Sequence, residues 1–254
     1  MNRDLDALGI IIQARLGSNR FPRKVLMPFY GGDTVLEYLI KRIRRAIDGI
    51  PIIVATSVEK IDDEIPDLLK GCNDVSVFRG DECNVLDRFI KCATEYGFKK
   101  VIRVCADNPF LDVKGLAGLI SYMQEKNVDY AGYYIEETPA IKTHYGLWAE
   151  GVSLSALEKV AKKTNEKVYL EHVTNYIYEN EKVFDIGKIG SRIELPISCP
   201  IRFTMDTERD YTNLRRVCEL LQGEDECIES LLRVVQADGA LLENMRKEIV
   251  LNKK

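Results

Sequence analysis

Hydrophobic residues along the first half of the chain fall into short blocks that switch between two periods. Ile10, Ile11 and Ile12 form a β-branched run without a polar break, the pattern of a central parallel strand covered on both faces. Thr34 with Glu37 three residues later makes a capping-box pair. Behind it Val35, Leu36, Leu39, Ile40, Ile43 and Ile47 recur at helical spacing. Ile52 to Ala55 predicts a second strand, and Asp62 to Lys70 a weaker helix with Pro66 in or near its first turn. Val75 to Phe78 predicts a third strand, ended by Gly80. Val85, Leu86, Phe89, Ile90 and Ala93 then share the apolar face of a helix that stops at Gly97. Val101 to Cys105 is a fourth strand. Such β and α alternation predicts a mostly parallel sheet with right-handed crossovers and helices on both faces.

A helix carrying Val113, Leu116, Leu119, Ile120 and Met123 follows, then a strand near Val128 to Gly132. From Tyr133 to about Pro200 the rhythm changes. A polar strand-like stretch from Glu136 to Lys142, a helix opened by Ser155 and Glu158, and an aromatic helix from Tyr169 to Tyr178 read as a small inserted subdomain over 133–200 and a candidate dimer contact. Ile201 to Met205 returns as a strand, and Thr207 with Asp210 caps a helix bearing Tyr211, Leu214, Val217 and Leu221. A C-terminal tail, 226–254, reads as two packing helices without chemistry of its own. The whole, 1–254, is read as a single α/β domain.

Charge adds a site to this frame. No Asp or Glu occurs between Asp6 and Asp33, yet the loop after the first strand carries Arg15, Arg20, Arg23 and Lys24 in a chain of net charge -4. Ligands of open α/β sheets sit at the carboxyl ends of strands, so this loop predicts an anionic ligand, polyphosphate first. Asp107 follows the fourth strand and Asp206 the late one, almost a hundred residues apart in sequence. Mg²⁺ needs only one or two protein carboxylates because water and phosphate complete its shell. The set therefore fits a nucleoside triphosphate with metal. The plainer readings are a solvated basic loop, helix caps at the two aspartates, and hydrogen-bonded structural roles for the two histidines.

Composition excludes more than it adds. Mild acidity argues against general nucleic-acid binding. Seven scattered cysteines without a CxxC pair indicate reduced thiols rather than zinc or disulfides. Met1 to Asp6 lacks the apolar core of a signal peptide, and no run approaches the ~20 apolar residues of a membrane span, so a cytoplasmic protein is expected. The first strand is followed by no GxGxxG, which argues against a dinucleotide-binding oxidoreductase.

The segments QARLGSNRFPRKVL, CADNPF, THYGLWAEG and RFTMDTERDY, in that order between Ile10 and Leu221, resemble the motifs of cytidylyltransferases that activate acidic sugars. These are the CMP-Kdo and CMP-acylneuraminate synthetases, and especially their spore-coat polysaccharide relatives. The resemblance implies a Rossmann-like fold of the nucleotide-diphospho-sugar transferase type, CTP as substrate with Mg²⁺ as cofactor, release of pyrophosphate, an anionic sugar acceptor and a homodimer. It places Gln13, Ala14, Arg15, Arg20 and Lys24 on the nucleotide, with Asn84, Asp87 and Arg88 flanking it. Asp107 and Asp206 fall on magnesium, His144, Glu171 and His172 face the sugar, and Arg15, Lys24 and Asp107 form the catalytic set.

Two positions depart from that pattern. Arg23 stands where RLPGK has glycine, and its side chain could turn to solvent or add a phosphate contact. Ala106 replaces the glycine of GDCP, where a positive φ would be strained. Two rivals accompany the reading: transfer to a sugar or alditol phosphate, for which Lys142, Lys188 or Arg202 would supply extra charge, and a non-catalytic nucleotide binder on the same fold.

Overall fold

The computed structural model describes residues 7–72 and 74–252. In chain order, β1 (Leu8–Gln13) leads through a 3-10 turn at Lys24–Leu26 to the hairpin of β2 (Pro28–Tyr30) and β3 (Asp33–Thr34), then α1 (Val35–Ala46). The Thr34–Glu37 capping box forms as expected, each side chain holding the other residue's backbone N–H. Next come β4 (Ile52–Ser57), α2 (Glu64–Leu69), β5 (Val75–Gly80), α3 (Val85–Glu95), β6 (Lys100–Cys105), α4 (Val113–Glu125) and β7 (Tyr130–Ile135). The remainder is β8 (Thr138–Pro139), β9 (Glu150–Ser153), α5 (Leu154–Lys163), α6 (Lys167–Glu171), α7 (Asn175–Glu179), β10 (Ile186–Gly190), α8 (Glu208–Leu221), α9 (Ile228–Ala237) and α10 (Gly239–Leu251).

The main sheet runs β10-β7-β9-β6-β1-β4-β5, with β8 paired to β7. Every neighbour along that path is parallel except β9, which lies antiparallel to both β6 and β7. Successive strand residues point to opposite faces, so Ile10 and Ile12 enter one apolar layer with α1, α4 and α8, and Ile11 enters the other with α3 and α5. Helices therefore cover both sides, as a continuous β-branched run requires. The apolar faces of α9 and α10 join the first layer through Leu231, Val235, Leu241 and Met245. No helix among the described residues is long and apolar enough to cross a membrane.

Several expected elements differ. Residues 133–200 are not confined to an excursion, because β9 and β10 complete the main sheet. Of the polar stretch 136–142 only Thr138–Pro139 pairs, and Ala140–Lys142 coils into a 3-10 turn. The cap of α5 is Ser153, whose hydroxyl accepts from the Ala156 amide, two residues before the expected Ser155. The aromatic helix divides into α6 and α7 because Thr174, between them, turns its hydroxyl onto the buried Glu150. Residues 201–206 are buried but form no strand: Phe203 donates to Tyr145 and Met205 to Asp107, two separate loops rather than one ladder. The Thr207–Asp210 capping box on α8 is present as expected.

Candidate active site

Beyond the carboxyl ends of β1 and β6 lies a cleft of about 750 Å³. The loop after β1 supplies Arg15, Arg20 and Lys24, and the turn after β6 supplies Asp107 and Asn108. Residues 140–143 and 146–148, the α6–α7 junction, Thr204 and Asp206 complete the wall. Gly146 is what lets two of these walls meet. Its φ is +63°, and a Cβ there would lie 2.6 Å from the Thr204 amide nitrogen and 2.8 Å from Asn108 Oδ1.

Lys24 is the hinge of the charged end. The 3-10 turn buries its stem, and Nζ donates to Asp107 Oδ2 at 2.8 Å and to the Met205 carbonyl at 2.7 Å, with Asp206 Oδ1 at 3.6 Å. Burial opposes the ammonium, but the charges of Asp107 and Asp206 outweigh it and hold Lys24 above the ordinary lysine value. Asp206 is anchored in turn by Arg202 at 2.8 Å and faced by Arg20 at 3.2 Å. Arg20 also donates to Asn252 in the C-terminal tail at 2.8 Å, so the tail does reach the site. Two carboxylates that share one ammonium at a cleft wall suit a hard cation coordinated mainly by phosphate and water. No cluster of three or more potential ligands exists among the described residues.

The two departures resolve differently. Arg23 adopts the left-handed conformation, φ 61° and ψ 13°, that glycine would take without strain. Its guanidinium pairs with Glu64 and does not line the cleft. Ala106 has no positive φ; its amide donates to Gln13 O at 3.1 Å, extending the β1–β6 pairing by one residue, and the expected strain is absent.

Gln13, Ala14, Arg15, Arg20, Lys24, Asp107, Glu171, His172 and Asp206 all line this one cleft. Across it, Arg15 pairs with Glu171 at 3.2 Å. Four of the sequence candidates do not line it. Asn84 caps α3 by accepting from the Asp87 amide, and Asp87 pairs with Lys91. Arg88 is fully buried and donates to the Asp81 carbonyl; burial, then the nearby charge of Arg15, lower its pKa. His144 bonds the Cys199 carbonyl at 3.0 Å and packs on Tyr145. Of the extra cations, Lys142 lines the cleft and pairs with Glu179, Lys188 pairs with Glu181 elsewhere, and Arg202 is buried against Asp210.

The sequence reading missed a polar row on the other side of the floor. Arg103 Nη1 donates to Glu150 Oε2 at 2.5 Å, and the two residues face each other in the β6–β9 register. Tyr130 donates to Glu150 at 2.7 Å and Thr174 to both its oxygens at 3.0 Å. Arg103 also lines the cleft and donates to Gln13 Oε1 at 3.2 Å. The available signal was an arginine inside the apolar strand VIRVC, which demands a buried partner.

Comparison with known proteins bears on the family and the fold. The cytidylyltransferase family model matches residues 9–246. The spore coat polysaccharide biosynthesis protein SpsF of Bacillus subtilis is 33% identical over 214 residues, 81% of this chain and 83% of that protein. A cytidylyltransferase from Leptospira borgpetersenii superposes with a TM-score of 0.83 at 26% identity, covering 94% of this chain and 97% of its own. The CMP:2-keto-3-deoxy-manno-octonic acid synthetase solved with CTP shares the fold, with a TM-score of 0.62 at 14% identity over 84% of this chain and 98% of its own. The chain belongs to the cytidylyltransferase family and is a nucleotidyltransferase.

Proposed function

We propose that the cleft transfers the cytidylyl group of CTP to a hydroxyl of an acidic sugar of the Kdo, neuraminate or legionaminate type, for surface polysaccharide or glycan synthesis. The acceptor oxygen forms a bond to the α-phosphorus, the bond from that phosphorus to the pyrophosphate oxygen breaks, and the hydroxyl proton passes to solvent. The observation that carries the reading is Lys24 seated between Asp107 and Asp206, with Arg15 and Arg20 on the same cleft. Arg15, Arg20 and Lys24 are placed to neutralise charge gathering on the leaving pyrophosphate, a preorganised electrostatic contribution that asks for no proton relay. Asp107 and Asp206 would hold Mg²⁺, which when bound supplies Lewis-acid polarisation of the phosphate oxygens. The family, the SpsF relative and the CTP-bound synthetase of the same fold support the nucleotide and the sugar class.

The test is pyrophosphate release from CTP and magnesium with a panel of 3-deoxy-ulosonic and nonulosonic acids. Turnover with at least one acid is expected, together with loss of magnesium-dependent CTP affinity in Asp107→Ala and Asp206→Ala. No turnover with any acid, or aspartate variants that bind metal-nucleotide like the wild type, overturns it.

A further inference from the structure

We infer that Gln13, which the family resemblance sets beside the nucleotide, is instead a specificity-determining donor for the acceptor substrate, and that Arg103 is the positioning residue that keeps it one. The inference rests on the proposed transfer to an acidic sugar and extends it to the residue that reads the acid.

The argument begins with what a guanidinium can do. It only donates, so the atom of Gln13 that faces Arg103 Nη2 at 3.2 Å must be the amide oxygen. The amide nitrogen is then turned away from Arg103 on a side chain that lines the cleft, and Nε2 has no hydrogen-bond partner among the described residues. Arg103 is not free to release Gln13. Its Nη1 is bonded to Glu150, and both Glu150 oxygens are held by Tyr130 and Thr174. Arg103 and Glu150 are almost completely buried. A chain of fixed groups crossing β9, β6 and β1 therefore presents one unspent N–H₂ at the floor of the cleft.

What that donor meets follows from its place. The side chains of Gln13, Arg103 and Glu150 alternate with Ile12, Ile102 and Gly151, on the sheet face covered by α3 and by α5 to α7. The cleft residues contributed by that cover are Glu171, His172, Asn175 and Tyr178, with Lys142 above the Tyr178 ring at 4.8 Å. Phosphate charge is already served by Arg15, Arg20 and Lys24. The reacting anion that these cations leave unserved is the carboxylate of the acceptor, and a hydrogen bond to a charged oxygen is among the strong ones; the neutral acceptors of the cytosine ring are the competing occupant, which the separate KM values below distinguish.

Steady-state kinetics of the purified full-length enzyme, with CTP and acceptor varied separately, tests this. Gln13→Leu removes the donor, and Gln13→Glu keeps an oxygen for Arg103 while setting a carboxylate against the acid. The acceptor KM should rise about tenfold or more in Gln13→Leu and further in Gln13→Glu, with the KM for CTP within about twofold of wild type. Arg103→Lys, whose compact ammonium cannot fork to both Glu150 and Gln13, should raise the acceptor KM selectively and by less. A merely structural residue would shift both KM values and kcat together. Should Gln13→Leu fail to fold, Gln13→Glu carries the test. A rise confined to the KM for CTP, or unchanged acceptor KM values, overturns the inference and leaves the proposed reaction standing. If the wild type turns over no acidic acceptor, the reaction itself fails and the inference falls with it.

Discussion

Two buried cation–carboxylate clusters flank the end of β1, and they are wired in opposite ways. On one side one ammonium, Lys24, faces two carboxylates, and the Asp107 side chain is still 26% exposed. On the other side one guanidinium faces one carboxylate, with Arg103 8% and Glu150 2% exposed and both Glu150 oxygens satisfied by neutral hydroxyls as well. The first cluster keeps oxygen valence open toward a cleft, so a phosphate or a metal ion can enter it. In the second both carboxylate oxygens are spent inside the protein, so it is closed, offering a metal ion nothing, and holds its neighbours in place. Burial of charge alone thus does not mark a reactive site; the ratio of partners and the opening to solvent do.

Removing the closed cluster's anion should do the most damage to the fold. Glu150→Ala leaves the Arg103 charge buried without a counterion and orphans the hydroxyls of Tyr130 and Thr174. A loss of about 3–5 kcal/mol in urea unfolding is expected, the usual cost of breaking a buried pair from one side. A loss below about 1 kcal/mol would mean that the pair behaves as a surface bridge, and the contrast drawn above would collapse.

The open cluster should show the reverse. Lys24→Met is expected to cut kcat/KM for CTP by roughly 10²–10³-fold, as loss of one preorganised charge-stabilising donor does. Its stability cost should be smaller than that of Glu150→Ala, because Asp107 can turn to water. The pH dependence follows from the raised Lys24 pKa. Its stabilising contribution is fully present below the ordinary lysine value of 10.5 and is lost only as pH climbs through the raised one. Lys24 should therefore impose no limb on the activity profile between about pH 6 and pH 9, where a raised lysine stays protonated. A basic limb in that range that vanishes in Lys24→Met would show that the two aspartates do not outweigh burial.

The same contrast explains what the sequence made legible. The open cluster could be read because its members sit at strand ends beside local signals: the acid-free loop after Ile12, Asp107 after VIRVC, and Asp206 one residue before the Thr207 cap. Helices announced by reciprocal caps, α1 and α8, formed where the pairs Thr34–Glu37 and Thr207–Asp210 placed them. The closed cluster could not be read, since Arg103 and Glu150 find each other only once β9 inserts antiparallel beside β6. That insertion also made residues 133–200 part of the sheet. Ser153 displaced Ser155 as a cap because either serine satisfies the local rule and only packing chooses. Residues 201–205 carry a strand's hydrophobicity but face two loops in place of a strand, and no periodicity encodes that.

The smallest effect should come from Arg23, the most basic-looking departure in the loop. Its backbone at φ 61° already takes the conformation that glycine adopts freely, and its charge is spent on Glu64 outside the cleft. Arg23→Gly removes the strain of a left-handed side chain but adds backbone freedom to the unfolded chain and gives up an exposed ion pair, and these contributions oppose one another. The melting temperature should move by no more than about 3 °C, and the KM for CTP should stay within about twofold. Calorimetric titration with CTP and magnesium checks the second point directly. A fall in affinity comparable to that of Lys24→Met would place the Arg23 guanidinium on the triphosphate and count it with the open cluster; unchanged affinity leaves the loop's function to Arg15, Arg20 and Lys24, with Arg23 serving only the turn that delivers them.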